Sequence, residues 1–378
     1  MIKYPGTRII ILTALLSFAV SCNRVTEHKI VKKDMDEKNK VETQTKVEPQ
    51  DEDSVYAIIG VGDIMMGTNY PSTSSLPPDD GKHLFDDVKD ILSSADITFG
   101  NLEGTLLNSG GTPKKCKDPE SNCISFRMPE HYASYLKNAG FTVVGTANNH
   151  SGDMGEEGRK STVETLEKYG IKYAGYIITP TTIIIKDGVK FGFTAFAPNN
   201  GTNNLNDIEE AAKIVSELKK KCDILIVSFH GGAEGTGSQH VTGRREIFLG
   251  EDRGNVLEFA HAMVDAGADV IFGQGPHVAR AMEIYKDRLI AYSLGNFCTY
   301  GKFGLSGALG VAPILKVYID KEGKFVQGRI FPTKQIKRGI PMYDDDGKII
   351  KIMRQLTNQD FPESGLTIDD DGKILKSN

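Results

Sequence analysis

Short runs of β-branched and aromatic residues bounded by glycine recur from Val55 onward. Val55 to Val61, Ala95 to Phe99 and Ile224 to Phe229 are of this kind and read as buried strands. Between such runs, apolar residues recur at helical spacing over His131 to Asn138, Lys160 to Tyr169, Asp207 to Lys221 and Val256 to Asp265. Gly140, Gly170 and Gly267 close three of these four segments, and strands are expected to follow at Phe141, Ile171, Asp223 and Asp269. Strand alternating with helix predicts an α/β domain. Two hairpins interrupt the alternation, Thr182 to Ala197 turning at Asp187-Gly188 and Ala281 to Leu294 turning around Lys286-Asp287, so the sheets are expected to be mixed. A third follows: Val311 to Ile319, a Lys321-Glu322-Gly323 turn, then Phe325 to Ile336. Beyond Gly339 the tail is acidic. Its Asp344-Asp345-Asp346-Gly347 and Asp369-Asp370-Asp371-Gly372 stretches lack the closing glutamate of an EF-hand loop and read as turns.

The N-terminal part follows another pattern. Lys3 and Arg8 precede an apolar stretch from Ile9 to Val20, shorter than the roughly 20 residues a spanning helix needs and suited to a signal peptide. It ends in Ala19-Val20-Ser21-Cys22, which resembles the lipobox of bacterial lipoproteins, with Ala19 where leucine is commonest. That resemblance implies cleavage before Cys22, a lipid on it, and a membrane-anchored protein outside the cytoplasm; an ordinary secretory signal is the alternative. Asn23 to Ser54 carries almost no large apolar residue and cannot offset the entropy of ordering, so it is expected to be a disordered tether spanning about 30 Å as a coil. The expected organisation is thus a signal peptide over 1–21, a tether over 22–54, one domain over 55–336, and a C-terminal extension over 337–378 that packs on the domain or trails it.

Charge and cysteine usage narrow the partners. The 378 residues carry a net charge of -5, which offers no basic surplus and argues against nucleic acid. Of the five cysteines, Cys116 and Cys123 flank a polar loop, and export would suit a disulfide between them. Cys222 and Cys298 adjoin apolar strands and read as reduced core residues.

Polar motifs stand at or near the ends of the apolar runs: GDIMMG (Gly62 to Gly67), GNLEG (Gly100 to Gly104), ANNH (Ala147 to His150), SFHGGAEG (Ser228 to Gly235), GQGPH (Gly273 to His277) and YSLGNF (Tyr292 to Phe297). Open α/β sheets place ligands beyond the carboxyl ends of their strands. There, Asp63, Glu103, Asn149, His150, His230 and His277 offer the oxygen and imidazole donors a hard or borderline metal requires. Carboxylates brought together from two strands repel unless a cation or a shared proton stabilises them. Gly231-Gly232 argues against a helix after His230, which makes it a loop donor, and Gly275-Pro276 forms a turn that aims His277.

Taken in order, GD-x-M, GNLE, NNH, HGG-x-E, G-x-G-PH and YSLGNF resemble the CapA family of capsule synthesis proteins associated with poly-γ-glutamate, over about Val55 to Ile336. The resemblance implies kinship with calcineurin-like metallophosphoesterases: a four-layer αββα sandwich with mixed sheets and a dinuclear metal site on its loop edge. It makes Asp63 a first-metal ligand, sets Asn101 or Glu103 near the bridging position, and makes Asn149 and His150 the second-metal ligand and general acid. His230 resembles another second-metal ligand, and His277 the last histidine, a ligand that also assists proton transfer. Glu234 and Asn296 stand as substrate-binding residues. Two positions depart: Met65 where phosphoesterases carry a histidine, and Gln274, a weaker ligand where many relatives have histidine. The implied cofactor is a divalent ion, Mn, Zn, Fe or Mg. The implied function is synthesis, export or anchoring of an anionic surface polymer, with that polymer or its synthase and export complex as partner and a metal-dependent hydrolase site. Two alternatives stay open, a non-catalytic polymer-binding component and a stand-alone extracytoplasmic metallophosphoesterase.

Overall fold

The computed structural model describes residues 55–115 and 124–376. The apolar runs of the sequence become the inner strands of two sheets. The larger sheet has ten strands, in the order Leu366–Ile368, Lys373–Lys376, Phe325–Ile336, Val311–Asp320, Val55–Met65, Ile97–Leu102, Val143–Gly145 and Lys172–Ala174. Asn296–Thr299 joins the far end of Val55–Met65, and Ile340–Tyr343 pairs with Phe325–Ile336. Val55–Met65 runs parallel to Ile97–Leu102 and antiparallel to Val311–Asp320, so this sheet is mixed. The smaller sheet has six strands, in the order Met282–Tyr285, Arg288–Ala291, Val270–Gln274, Ile224–His230, Val189–Phe196 and Thr181–Lys186. Its inner four are parallel and both its edges are hairpin partners.

Three apolar layers hold four structural layers. Between the sheets, Ile58, Phe99 and Val317 pack with Phe193, Ile226 and Phe272; Phe99 and Phe272 stack with ring centroids 5.8 Å apart. The outer face of the larger sheet is covered by helix Tyr132–Asn138 through Tyr132, Ala133 and Leu136, and by helix Gly155–Lys168 through Leu166. Helices Ile208–Lys219 and Val256–Asp265 cover the smaller sheet through Val215, Leu218, Phe259 and Met263. The result is an αββα sandwich with mixed sheets.

The hairpin turns form at the residues the sequence marks. Asp187 and Gly188 both have positive φ (50° and 84°), as do Lys286 and Asp287 (48° and 63°), the geometry a two-residue turn between twisted strands needs. Gly62 is required by close approach, because a Cβ there would lie 1.8 Å from the Gly295 carbonyl oxygen. That contact lets the end of Val55–Met65 meet Asn296–Thr299.

The acidic tail is more than turns. Lys348–Asp360 is a helix whose Ile349, Ile350 and Met353 enter the inter-sheet core, and the strands after it extend the larger sheet. Helix Gly155–Lys168 also begins earlier than its apolar spacing suggested. Cys298 is buried and Cys222 half-buried, both free. Cys22, Cys116 and Cys123, with the leader and the tether, lie outside the described residues. No helix among the described residues is long and apolar enough to cross a membrane.

Candidate metal centre

Parallel pairing gathers the polar residues at one edge of the sandwich. Asp63, near the end of Val55–Met65, is in register with Asn101 on one side and Asn296 on the other. Glu103 follows the second strand, its N–H donating to the Ile64 carbonyl at 2.9 Å. In the smaller sheet Gln274 is in register with His230, and the next turn carries His277 in the left-handed region at φ 59°. Gly275 permits that turn, since a Cβ there would lie 2.7 Å from the Gly231 carbonyl oxygen.

The two sheet edges meet through side chains. His277 Nδ1 is 2.9 Å from Asp63 Oδ2, and its Nε2 is 3.8 Å from Glu103 Oε1 and 3.7 Å from Glu234 Oε2. One donor atom each from Asp63, Glu103 and His277 fall within 4.8 Å of one another. His230 Nδ1 is 3.7 Å from Asp63 Oδ1. Asn101 orients this group: its amide nitrogen donates to Asp63 Oδ1 at 2.8 Å and its oxygen accepts from Asn148 Nδ2 at 3.1 Å. As placed, the Asn101 oxygen is engaged by Asn148, and Glu103 is the carboxylate beside Asp63.

Beside Glu103 stands a second group. His150 Nε2 is 4.0 Å from Glu103 Oε1, while its Nδ1 is 2.7 Å from Asp153 Oδ2. Lys114 Nζ lies 2.7 Å from the other Asp153 oxygen and 3.2 Å from His150 Nδ1. The His150 ring stacks on Phe126 with centroids 4.2 Å apart, and Phe303 sits edge-on to His277 at 5.2 Å. Two aromatic rings therefore wall the imidazoles.

The electrostatics follow from burial. Glu103 is fully buried, and desolvation, then the Asp63 charge, raises its carboxyl well above the usual range. Burial would depress His277, but Glu103, Asp63 and Glu234 outweigh it and push the imidazole up to about 10. Burial holds His230 well below its ordinary value, and the neighbouring His277 adds to that. Burial also lowers His150, against the pull of Asp153 and with the help of Lys114. A raised His277 thus sets an imidazolium beside the Asp63 and Glu103 carboxyls.

Several buried atoms of the candidate residues have no hydrogen-bond partner: both Glu103 oxygens and His230 Nε2 in this cluster, and Asn149 Oδ1 beside His150 in the sequence. Unmet acceptors of this kind are costly unless something satisfies them. Oxygen and imidazole donors converging on one point fit a divalent ion.

Other candidate residues lie differently. Gln274 Oε1 accepts from Ser228 Oγ at 2.9 Å, which leaves its amide nitrogen unpartnered. Asn296 is buried beside Asp63, but its amide nitrogen donates to the Leu309 carbonyl at 3.3 Å. Met65 packs into the outer core of the larger sheet and adds no ligand. Sequence reasoning assigned no role to Asn148, Lys114, Asp153, Phe126 or Phe303. Asp153 was the nearest to legible, standing three residues after His150 in the same polar stretch.

The sequence profile described as "Bacterial capsule synthesis protein PGA_cap" matches residues 57–300. The PGA biosynthesis protein CapA of Bacillus subtilis (strain 168) is 31% identical over 261 residues, which is 65% of this chain and 63% of that protein. The capsule biosynthesis protein CapA of Bacillus anthracis is 29% identical over 256 residues, 63% of this chain and 58% of that protein. The chain spans less than two thirds of the length of either relative. Among solved structures, a 5'-nucleotidase precursor from Thermus thermophilus aligns at 14% identity and a TM-score of 0.39, over 74% of this chain and 54% of that one. The profile covers well over half of the sequence, and the chain belongs to the bacterial capsule synthesis protein family.

Proposed function

We propose that this protein acts in the synthesis, export or anchoring of an anionic surface polymer of the poly-γ-glutamate class, held outside the cytoplasm by a lipid on Cys22, and that its sheet edge is a metal-dependent hydrolytic centre. The names of the Bacillus relatives support the polymer. The observation that carries the centre is the buried Asp63, Glu103 and His277 cluster with both Glu103 oxygens unpartnered. Asp63, Glu103, His230 and His277, with Asn149, would hold the ion. A divalent metal bound there supplies Lewis acidity and a water of lowered pKa.

The remaining work falls to the chain's own groups. Asn101 fixes the Asp63 carboxylate, and Asp153, itself paired with Lys114, fixes His150 through Nδ1. His150 Nε2 is left 4.0 Å from Glu103 Oε1 and is the atom that would hold or pass a proton at the scissile group. Phe126 and Phe303 exclude water from the imidazoles. Amide and phosphoester cleavage both suit this arrangement.

A second reading, a polymer-binding subunit without turnover, is favoured by Met65 lying in the core and by Gln274 being held by Ser228. Metal analysis of the purified protein, with turnover assays on a phosphodiester and on γ-linked glutamate peptides, separates the two. Bound divalent ion with turnover of either substrate supports hydrolysis. No metal, no turnover and retained polymer affinity support the binding subunit, and turnover of the phosphodiester alone supports a phosphoesterase unrelated to capsule.

A further inference from the structure

Two buried arginines lie at the loop between His230 and helix Val256–Asp265, and their surroundings differ. Arg280, from the following hairpin, is fully buried against this loop, and each of its nitrogens is bonded. Its Nε donates to the Ser238 carbonyl at 2.7 Å, and its two terminal nitrogens reach the two Glu246 oxygens at 2.9 and 2.7 Å. That is a saturated, structural guanidinium. Arg253 is also buried, with 4% of its side chain exposed. Its Nη2 donates to Glu234 Oε1 at 3.0 Å, whereas its Nη1 has no partner, and its Nε lies 3.1 Å from the Glu251 carboxylate without forming a hydrogen bond.

The position of Arg253 matters as much as its unmet donors. Its backbone carbonyl accepts from Gly232 N–H at 2.8 Å, two residues beyond His230. Its partner Glu234 has its other oxygen 3.7 Å from His277 Nε2. One carboxylate therefore separates this guanidinium from the imidazole that touches Asp63. Glu234, Glu251 and the Phe248 ring, 5.7 Å away, offset the buried charge, but the two donors without a hydrogen bond still cost stability. Its planar fork matches an oxyanion bidentately.

We infer that Arg253 receives an oxyanion of the substrate, a carboxylate or a phosphate, beside the metal-ligand cluster, and that Glu234 holds the guanidinium until the substrate displaces it. This inference rests on the anionic-substrate reading above. It assigns Arg253 to substrate binding, and it makes Glu234 a competitor of the substrate rather than a contact to it.

The test measures binding of a labelled γ-glutamate oligomer and of inorganic phosphate to the full chain, with and without chelator, alongside metal content and thermal midpoint. Arg253→Met should weaken at least one of the two anions tenfold or more while metal content stays at the wild-type level. Glu234→Gln should tighten the same anion severalfold, and this variant carries the test if Arg253→Met does not fold. Loss confined to the oligomer supports both the receptor and the polymer reading. Loss confined to phosphate supports the receptor and overturns the polymer. Affinities within twofold of wild type for both anions in both variants, or a wild-type protein that binds neither anion, overturn the inference.

Discussion

At the scale of single residues, the proposed centre sets a proton against a metal for one set of carboxylates. Asp63 and His230 stand among the donors, so alanine at either should lower bound metal and abolish turnover. His150 reaches the cluster only through a 4.0 Å approach to Glu103. His150→Ala should therefore keep the metal and slow turnover by ~10² to 10⁴, the loss expected of a proton-transfer group; elemental analysis beside the kinetics checks the split. The proton side of the contest has a sign that can be worked out. In the metal-free protein Glu103 is raised well above the carboxylate range, so the folded state keeps a proton the unfolded chain gives up above about 4.3, and stability falls as pH rises from there. His277 is raised to about 10, so its contribution is complete below about 6.5 and is lost as pH climbs to about 10. The thermal midpoint of chelator-treated protein should fall across that upper window, and His277→Gln should flatten the fall; an unchanged slope in the variant refutes the assignment. The sequence displayed Asp63, Glu103, His150, His230 and His277 because each stands beside a strand end bounded by glycine. Lys114, Arg253 and Phe303 were not legible, since loops far apart in sequence bring them to the site and no local spacing marks them.

At the scale of elements, alternation and turn chemistry were enough to read most of the fold. Glycines closed three of the four helices read from the sequence, and Asp187-Gly188 and Lys286-Asp287 adopted the positive φ values that a tight hairpin demands. The helix Lys348–Asp360 escaped because it lies between two aspartate-rich turns, whose composition suggested a polar tail. Its own pattern was present: Ile349, Ile350, Met353, Leu356 and Thr357 are its buried residues, spaced for one helical face. What the sequence could not tell was where that face goes, since amphipathicity gives a stripe and not a partner. It goes between the sheets, where Met353 is fully buried. Met353→Ala should then cost about 2–5 kcal/mol, the range for emptying a core site of this size. A denaturant titration that finds less than about 0.5 kcal/mol, the usual scale of a surface change, would place this helix outside the cooperative core.

At the scale of the whole molecule, the sandwich explains why residues more than 200 positions apart share one edge: parallel strands end their polar loops on the same side, and facing sheets bring the two sets together. Asp63 from one sheet and His277 from the other meet at 2.9 Å for that reason. The domain's interior also bears on its attachment. Its three apolar layers are built from residues between Ile58 and Ile374, whereas Asn23 to Asp53 offers almost nothing to bury. Folding and anchoring should therefore separate. Protein beginning at Ser54 should unfold with the same midpoint as the longer chain, and a shift of more than a few degrees would mean that the polar segment contributes to the core. On the proposed lipid anchor, anchoring should rest on Cys22, the one cysteine before Val55 and the end of the lipobox-like stretch. Cys22→Ser should move the protein from the membrane to the soluble fraction with its metal content and thermal midpoint unchanged. If the variant remains in the membrane fraction, the domain itself binds the membrane or a membrane partner, and the lipid reading fails.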